Sequence, residues 1–287
     1  MYRLQKTVAD KVRCIGVGLH SGKKVNLVIK PAIENHGIRF VRVDLPNQPE
    51  ISAIFQKVVD TSLATVIGND GAIVSTIEHL MSTFAGLEID NALVEMNSYE
   101  VPIMDGSAYP FTKMILDVGI VEQEDPKIYF VVKEPISLSE NGKSVYLEPA
   151  DKLTITCSID FDHPLLRNQN FSTEINQETF VDEIAGARTF GFIHELDLMR
   201  KFGLAKGGSL DNAIVIDKDS VLNEDGLRFE NEFVRHKILD SIGDFSLLGM
   251  PLMGHLTINK SGHAFHHAFL NEFFNNKKYW ETKALLK

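Results

Sequence analysis

The feature that most constrains the fold is a weak internal similarity between the two halves of the 287-residue chain. Segment 22–27, Gly-Lys-Lys-Val-Asn-Leu, and segment 142–147, Gly-Lys-Ser-Val-Tyr-Leu, are each followed closely by a Pro-Ala pair. Later in each half an apolar helix begins near a histidine, His79 or His236, and a strand of alternating polarity follows. A pattern that occurs twice in this way predicts two similar units.

These units predict an α+β fold of two domains, which 287 residues are long enough to form. Segment 119–126 is acidic and ends in proline, so we expect it to connect a first domain at 1–125 with a second at 126–287. Alternating polarity predicts strands at 91–97 and 252–258. Apolar periodicity predicts helices at 74–85, 108–119, 230–248 and 261–275. Ser261 is the expected N-cap of the last helix.

The composition argues against several classes of protein. A formal net charge of −10, without a block of Lys or Arg, argues against a nucleic-acid partner. Cys14 and Cys157 form no CxxC pair, which indicates buried thiols in a reducing compartment. The N-terminus lacks the apolar core of a signal peptide, and the apolar stretch 245–256 is too short and too interrupted to span a bilayer. We therefore expect a cytoplasmic protein without a transmembrane segment.

One predicted helix carries residues suited to metal chemistry. His236 and Asp240 are four residues apart, so they lie one turn apart on the same helix face, where an imidazole and a carboxylate can reach one metal ion. A pair with this spacing is also common as a simple ion pair. His79 can supply a third ligand, and the adjacent Glu78 can act as a general base. Together these residues favour a metallohydrolase.

A second pair, His263 and His267, has the same spacing, which leaves it open as an alternative metal site. His263 lies in the first turn of its predicted helix, where the helix dipole opposes a positive charge on the imidazole. A carboxylate such as Asp244 would be needed to keep it protonated. A histidine held in this state could stabilise an oxyanion or donate a proton to a leaving amine.

Two further segments each allow a structural and a functional interpretation, and a third argues against a nucleotide-binding loop. Segment 188–192 is either a turn into a strand or a substrate lip, in which Phe190 stacks on a ring and the Thr189 hydroxyl lies near the reacting carbonyl. The glycine-rich segment 16–22 lacks the Gly-Lys-Ser/Thr ending and the strand–loop–helix context of a nucleotide P-loop. Segment 191–217 is either a packed helix and strand or an apolar wall around an apolar ligand.

Seven short motifs follow one another over nearly the whole chain: GVGLHSG at 16–22, STIEHL at 75–80, PIMDGS at 102–107, ARTFGF at 187–192, LNEDGLRFE at 222–230, FVRHKILD at 233–240 and KSGHA at 260–264. Together they resemble the zinc-dependent UDP-3-O-acyl-N-acetylglucosamine deacetylase family of lipid A biosynthesis. The resemblance implies removal of the N-acetyl group from the acylated UDP-sugar, with zinc as the cofactor and ferrous iron as the alternative metal in the cell. It also implies two similar α+β domains with their helices packed between two sheets, and an insert at 191–217 that forms a hydrophobic passage for the acyl chain.

The same resemblance implies a role for each matching site residue. The implied zinc ligands are His79, His236 and Asp240. The implied catalytic residues are Glu78 as general base, His263 as general acid and oxyanion stabiliser, Asp244 as the carboxylate that keeps His263 charged, and Thr189 as a contact of the tetrahedral intermediate. The implied substrate-binding residues are Lys237, Phe190, Phe192 and His20. The metal would lie in the cleft between the halves, and the protein would act as a monomer.

Two other classes of protein share parts of this pattern. Two histidines and one carboxylate also hold Fe(II) in non-haem oxygenases, but those enzymes place the ligands on a β-barrel, whereas these lie on predicted helices. The second alternative is a protein that binds a structural metal or a sugar nucleotide without catalysis. Structural zinc sites usually have four ligands and are rich in cysteine, whereas this chain offers three ligands with a further Glu and His suited to acid–base chemistry.

Overall fold

A computed structural model describes residues 1–286 and shows an α+β fold, as the sequence predicts. The α-helices are α1 (Glu78–Gly86), α2 (Tyr109–Val118), α3 (Gln177–Thr179), α4 (Ile193–Lys201), α5 (Glu232–Ser246) and α6 (His263–Asn275). A π-helical turn occurs at Phe180–Ile184, and 3-10 turns occur at Phe55–Lys57 and Lys277–Tyr279. Among residues 1–286, no helix is both long enough and apolar enough to cross a membrane.

The strands are named in chain order. They are β1 (Leu4–Val8), β2 (Val12–Val17), β3 (Lys24–Pro31), β4 (Ile38–Arg42), β5 (Glu50–Ser52), β6 (Val58–Asp60), β7 (Val66–Asn69), β8 (Ala72–Val74), β9 (Ala92–Met96), β10 (Ile120–Pro126), β11 (Ile128–Val132), β12 (Ile136–Glu140), β13 (Lys143–Glu148), β14 (Leu153–Ile159), β15 (Gln169–Glu174), β16 (Phe190–Phe192), β17 (Ile214–Ile216), β18 (Leu252–Asn259) and β19 (Trp280–Ala284).

The two largest sheets share a pattern of strand pairing. In the five-stranded sheet the order is β2-β3-β9-β4-β5, and β9 is antiparallel to β3 and parallel to β4. In the seven-stranded sheet β18 is likewise antiparallel to β13 and parallel to β14, while β12 pairs with β13 and β15 pairs with β14. The similar sequence segments of the two halves therefore contribute to equivalent strands, β3 and β13.

Side-chain alternation and a glycine determine how these layers pack. Along β18 every second residue is buried, because successive side chains of a strand point to opposite faces. Helix α5 packs against α1, α6, β14 and β15. The close approach of α1 to α5 depends on Gly243, because a Cβ atom at that position would overlap the carbonyl oxygen of Glu78. This contact brings together the two helices that carry the candidate metal ligands.

The helices predicted at 108–119, 230–248 and 261–275 are confirmed as α2, α5 and α6, each within two residues at either end. The predicted start of the helix at 74–85 is wrong, because α1 begins only at Glu78. Two features delay it: Ala72–Val74 forms strand β8, and Thr76 has a φ of 58°, which lies outside the α-helical region.

Two smaller predictions are also wrong. Segment 119–126 is not a simple connector, because most of it forms β10, which pairs antiparallel with β1. Ser261 is not the N-cap of α6; Gly262 occupies that position, and Ser261 Oγ lies 2.9 Å from Nε2 of His266. The strand was missed because its pairing partner, β1, is far away in sequence. The N-cap was misassigned because the Ser261 hydroxyl pairs with the ring of His266, farther along the helix.

Candidate active site

Helices α1 and α5 bring together the three residues expected to bind a metal. Nε2 of His79 and Nε2 of His236 lie 3.7 Å and 3.3 Å from the same carboxylate oxygen, Oδ1 of Asp240. All three side chains are buried, and their potential ligand atoms lie within 4.8 Å of one another. Because His236 and Asp240 are one turn apart on α5, both can face His79 on α1. The fold therefore directs three ligand atoms towards one point.

Both imidazoles are in the protonation state that a metal requires. Burial, with the neighbouring His236, lowers the pKa of His79 to about 3. Burial also lowers the pKa of His236, so both rings are neutral at pH 7. Nδ1 of His236 lies 3.0 Å from the carbonyl oxygen of Ala187, to which it donates its proton. The lone pair of this ring is therefore on Nε2, the nitrogen that faces Asp240.

Asp240 completes the donor set as a carboxylate. Burial would raise the pKa of Asp240, but the Lys237 ammonium holds it well below its ordinary value. Lys237 Nζ donates to Oδ2 at 2.9 Å, which leaves Oδ1 facing the two histidines. Two neutral imidazoles and one carboxylate match the ligand set of a catalytic zinc site. The residues present therefore fit a divalent metal.

Glu78 and His263 face each other beside these ligands. Glu78 is buried at the first position of α1, and its Oε1 lies 3.9 Å from His263 Nε2. The backbone N–H of Thr65 donates to the other oxygen, Oε2, at 3.1 Å. His263 is the first residue of α6, and its Nδ1 lies 2.8 Å from Oδ2 of Asp244. Each side chain is thus held through one polar atom, Glu78 Oε2 or His263 Nδ1. The other polar atoms, Glu78 Oε1 and His263 Nε2, face each other.

These two groups have pKa values suited to opposite proton transfers. Burial raises the pKa of Glu78 to about 7, against the influence of the His263 charge. Burial would lower the pKa of His263, but the Asp244 carboxylate outweighs it and raises the pKa to about 10. At a pH between these values Glu78 is able to accept a proton and His263 is able to donate one.

A second group, formed by Asp244, His263 and His266, also places three ligand atoms within 4.8 Å of one another. Both histidines direct Nδ1 at a single carboxylate oxygen, which lies 2.8 Å from His263 and 2.7 Å from His266. These are hydrogen bonds that require a proton on each Nδ1, so this group is less suited to a metal. His267, which its spacing left open as a ligand, instead has Nε2 3.3 Å from the carbonyl oxygen of Phe55.

Lys237 and Phe190, two of the expected substrate-binding residues, border the ligand set. Lys237 Nζ lies 5.5 Å from the centre of the Phe190 ring, a cation–π contact, in addition to its bond to Asp240. The Phe190 ring is centred 6.2 Å from the ring of His236 and meets Phe233 edge-on at 5.1 Å. An ammonium group and an aromatic ring therefore lie next to the candidate metal position.

Thr189 and Phe192, at either end of the Phe190 strand, connect this site to segment 191–217. The backbone N–H of Thr189 donates to the Gly106 carbonyl oxygen at 2.7 Å, and strand β16 pairs parallel with β17. Helix α4 lies between these two strands in sequence. Its Leu198 is 58% exposed, and Phe202, just beyond its end, is 75% exposed. The segment is therefore a short helix and two strands, and the helix and the residue after it present uncovered apolar side chains.

The loop that carries His20 is closed by a buried carboxylate. Glu100 accepts hydrogen bonds from the backbone N–H groups of His20 at 2.7 Å and Ser21 at 2.8 Å. The Leu19 carbonyl oxygen accepts a hydrogen bond from the N–H of Gly207, which ties the loop to segment 191–217. Nδ1 of His20 is buried and has no hydrogen-bond partner among residues 1–286.

Comparison with known proteins distinguishes the alternatives that the sequence left open. The family model for UDP-3-O-acyl N-acetylglycosamine deacetylase (LpxC) matches residues 5–275. The chain belongs to this family. Its similarity to the UDP-3-O-acyl-N-acetylglucosamine deacetylase of Myxococcus xanthus is 48% identity over 277 residues, which cover 96% of this chain and 88% of that protein.

Two further relatives carry the same name. The protein from Syntrophus aciditrophicus is 45% identical over 98% of this chain and 90% of its own length. The protein from Methylococcus capsulatus is 49% identical over 96% of this chain and 92% of its own length. The family resemblance inferred from the seven motifs is therefore confirmed.

Three residues that the structure places at the site were not predicted from the sequence. They are Thr65, Glu100 and His266. Helical spacing could have identified His266, which follows His263 by three residues and can therefore share its helix face. Thr65 and Glu100 lie outside the helices, and the partners that give them their roles are distant in sequence, so no local pattern indicates them.

Proposed function

We propose that the protein is a zinc-dependent deacetylase. It hydrolyses the N-acetyl group of UDP-3-O-(3-hydroxyacyl)-N-acetylglucosamine, giving acetate and UDP-3-O-(3-hydroxyacyl)-glucosamine, the committed step of lipid A biosynthesis. The observation that carries the proposal is the position of a proton acceptor, Glu78, and a proton donor, His263, beside a buried His-His-Asp ligand set in a member of this deacetylase family.

His79, His236 and Asp240 would hold the metal. Bound zinc supplies a Lewis acid that polarises a carbonyl and makes hydroxide available near neutral pH. Ala187 orients the His236 ring, and Lys237 orients the Asp240 carboxylate, so these two ligands are positioned by their protein partners. Ferrous iron is the alternative occupant, since the same ligand types bind it.

The acid–base pair would move two protons. Glu78 Oε1 takes a proton from the water that attacks the acetamide carbon. His263 Nε2 gives a proton to the amide nitrogen as the C–N bond breaks, because that nitrogen leaves poorly as an anion. The Asp244 carboxylate keeps His263 charged through Nδ1, which leaves the Nε2 proton for transfer. His263 and the hydroxyl of Thr189 stabilise the oxyanion before the bond breaks.

The sugar nucleotide and its acyl chain would bind on either side of this centre. Lys237 offers a charge for an anionic group and Phe190 a ring for stacking, and both border the ligand set. Phe192 extends the binding surface along β16. His20 extends it along the loop whose backbone N–H groups donate to Glu100. The insert at 191–217 accepts the acyl chain on the apolar surface that it exposes.

The remaining proposals concern architecture. We propose two domains, at 1–125 and 126–287, because the five-strand pairing pattern of the first sheet recurs in the second. Helices would lie between the sheets, since α2 contacts both β2 and α1, and α5 contacts both α1 and β14. A monomer in the cytoplasm remains the expectation, which size-exclusion chromatography and cell fractionation test.

The proposed function is tested by measuring acetate release from the acylated UDP-N-acetylglucosamine. We expect many turnovers per protein molecule, loss of turnover with a chelator, and recovery when zinc is returned. Turnover should be equal with and without oxygen, which separates a hydrolase from an oxygenase. Full zinc occupancy without acetate release would contradict the proposal and favour a protein that only binds its ligand.

A further inference from the structure

We propose that Thr65 is a positioning residue that links the general base to the general acid, an assignment that rests on the proposed function. Thr65 is 2% exposed and immediately precedes β7. Its backbone contacts the base, and its side chain contacts the carboxylate that holds the acid. Ser62 and Leu63 are exposed whereas Ala64 is buried like Thr65, so the loop enters the protein interior just before Thr65.

The backbone of Thr65 fixes Glu78. Its N–H donates to Glu78 Oε2 at 3.1 Å, and its carbonyl oxygen accepts the N–H of Ile77, the N-cap residue of α1, at 3.4 Å. One oxygen of the base is therefore held by Thr65, and the other, Oε1, is left facing His263. The two backbone bonds also fix the start of the helix on which Glu78 lies.

The side chain of Thr65 fixes Asp244. Thr65 Oγ1 donates to Asp244 Oδ1 at 2.5 Å, while Oδ2 of the same carboxylate accepts from His263 and His266. Both carboxylate oxygens are thus held, so Asp244 cannot rotate away from His263. Thr65 Oγ1 also lies 3.3 Å from His263 Nδ1. Without this hydroxyl, Oδ1 would be a buried acceptor that has lost its donor.

Thr65 therefore contacts both the proposed base and the carboxylate that holds the proposed acid. The hydroxyl acts through Asp244 and contacts neither a metal ligand nor the proposed substrate position, so its removal should change the chemical step more than binding. We expect kcat to fall about 10- to 100-fold, the range for a lost hydrogen bond to a charged group. KM and the zinc content should stay within about twofold of the wild-type values.

The test compares Thr65→Val, which has nearly the same shape without the hydroxyl, with Thr65→Ser, which keeps it. Thr112→Val is the matched control, because Thr112 is also buried and its hydroxyl donates to the carbonyl oxygen of Ala108, the N-cap residue of its own helix. We expect the fall in kcat in Thr65→Val, recovery to within about threefold in Thr65→Ser, and wild-type activity in Thr112→Val. In an Asp244→Asn background, Thr65→Val should cause little further loss, because the two residues act as a unit.

Several outcomes would overturn the assignment. They are a wild-type kcat in Thr65→Val, an equal loss in Thr65→Ser, a loss of zinc with the loss of kcat, and full additivity with Asp244→Asn. If Thr65→Val does not fold, Thr65→Ala replaces it, and failure of both to fold would assign the hydroxyl to stability instead. Absence of deacetylation by the wild-type protein would reject the proposed function itself, which keeps the two failures distinguishable.

Discussion

Replacement of Glu232 by alanine should destabilise the protein strongly, because Glu232 is the partner of a buried arginine. Its side chain is 0% exposed and that of Arg188 is 8% exposed. Glu232 Oε1 accepts from the backbone N of Arg188 at 3.0 Å and from Nε at 2.8 Å; Oε2 accepts from Nη2 at 3.1 Å and from the backbone N of Arg228 at 2.6 Å. The pair ties the segment before β16 to the start of α5.

The size of the effect follows from what alanine leaves behind. Removing one partner of a buried ion pair costs about 3–5 kcal/mol, because the other charge stays buried without compensation. Glu232→Gln should cost less, since its amide oxygen can still accept the two bonds made to Oε1. Its amide nitrogen, however, would face the N–H donors of Arg188 and Arg228. We therefore expect the order of stability to be wild type, then Glu232→Gln, then Glu232→Ala.

Equilibrium unfolding in urea, followed by circular dichroism, measures this order. Lys113→Ala is the control, because the Lys113–Asp117 ion pair is exposed, at 60% and 62%, and should leave the midpoint unchanged. Thermal midpoints should fall by roughly 6–20 °C in Glu232→Ala, at about 2–4 °C for each kcal/mol. If the unfolding midpoint of Glu232→Ala equals that of Lys113→Ala, the reasoning that loss of Glu232 leaves a costly unpaired charge on Arg188 is refuted.

The remaining predictions concern the site. Glu78→Gln should keep its zinc, but its turnover should fall roughly 10²–10⁴-fold. Full zinc content by metal analysis together with near-normal acetate release would remove Glu78 from the base role. The rate should rise with pH through about 7 as Glu78 loses its proton, and fall through about 10 as His263 loses its own; an unchanged basic limb in His263→Gln would assign that limb elsewhere. Shortening the acyl chain should weaken binding by up to ~0.8 kcal/mol per methylene, and a flat series in calorimetry would show that the insert does not hold the chain. Gly243→Ala should lower both the melting temperature and zinc retention, although alanine normally stabilises a helix; a rise in melting temperature would show that α1 and α5 can move apart.

The secondary structure was predictable wherever local pattern decides it. Helices α2, α5 and α6 were predicted closely, because apolar periodicity and flanking glycines act within the segment itself. The start of α1 was not, because the N–H of Ser75 pairs with the Tyr99 carbonyl oxygen, 2.7 Å away, and keeps the chain extended there. Strand β10 was missed for the same reason: its pairing partner, β1, lies at the other end of the first half.

The site shows the same division between local and distant determinants. The His236–Asp240 pair was predictable because helical spacing alone puts both residues on one face. Its relation to His79 required the packing of α1 on α5, which depends on a glycine whose importance only the tertiary contact reveals. Thr65 carries no pattern at all, since its partner Asp244 is 179 residues away in sequence. The family motifs indicated the distant site residues that lie within a motif. They could not indicate Thr65, which lies outside all seven motifs.

Asp240 and Asp244 lie one turn apart on α5, yet the ring nitrogens that face them give them different tasks. At Asp240, Nδ1–H of His236 donates a hydrogen bond to the Ala187 carbonyl oxygen, so a lone pair on Nε2 faces a carboxylate oxygen 3.3 Å away. Two acceptors at that distance repel each other unless a cation lies between them, which supports this end as the proposed metal site. At Asp244, Nδ1 of His263 carries a proton and donates it to the carboxylate at 2.8 Å. That contact is satisfied without a metal and stabilises an imidazolium, so the same two residue types fit the proposed ligand set in one turn and the proposed proton donor in the next.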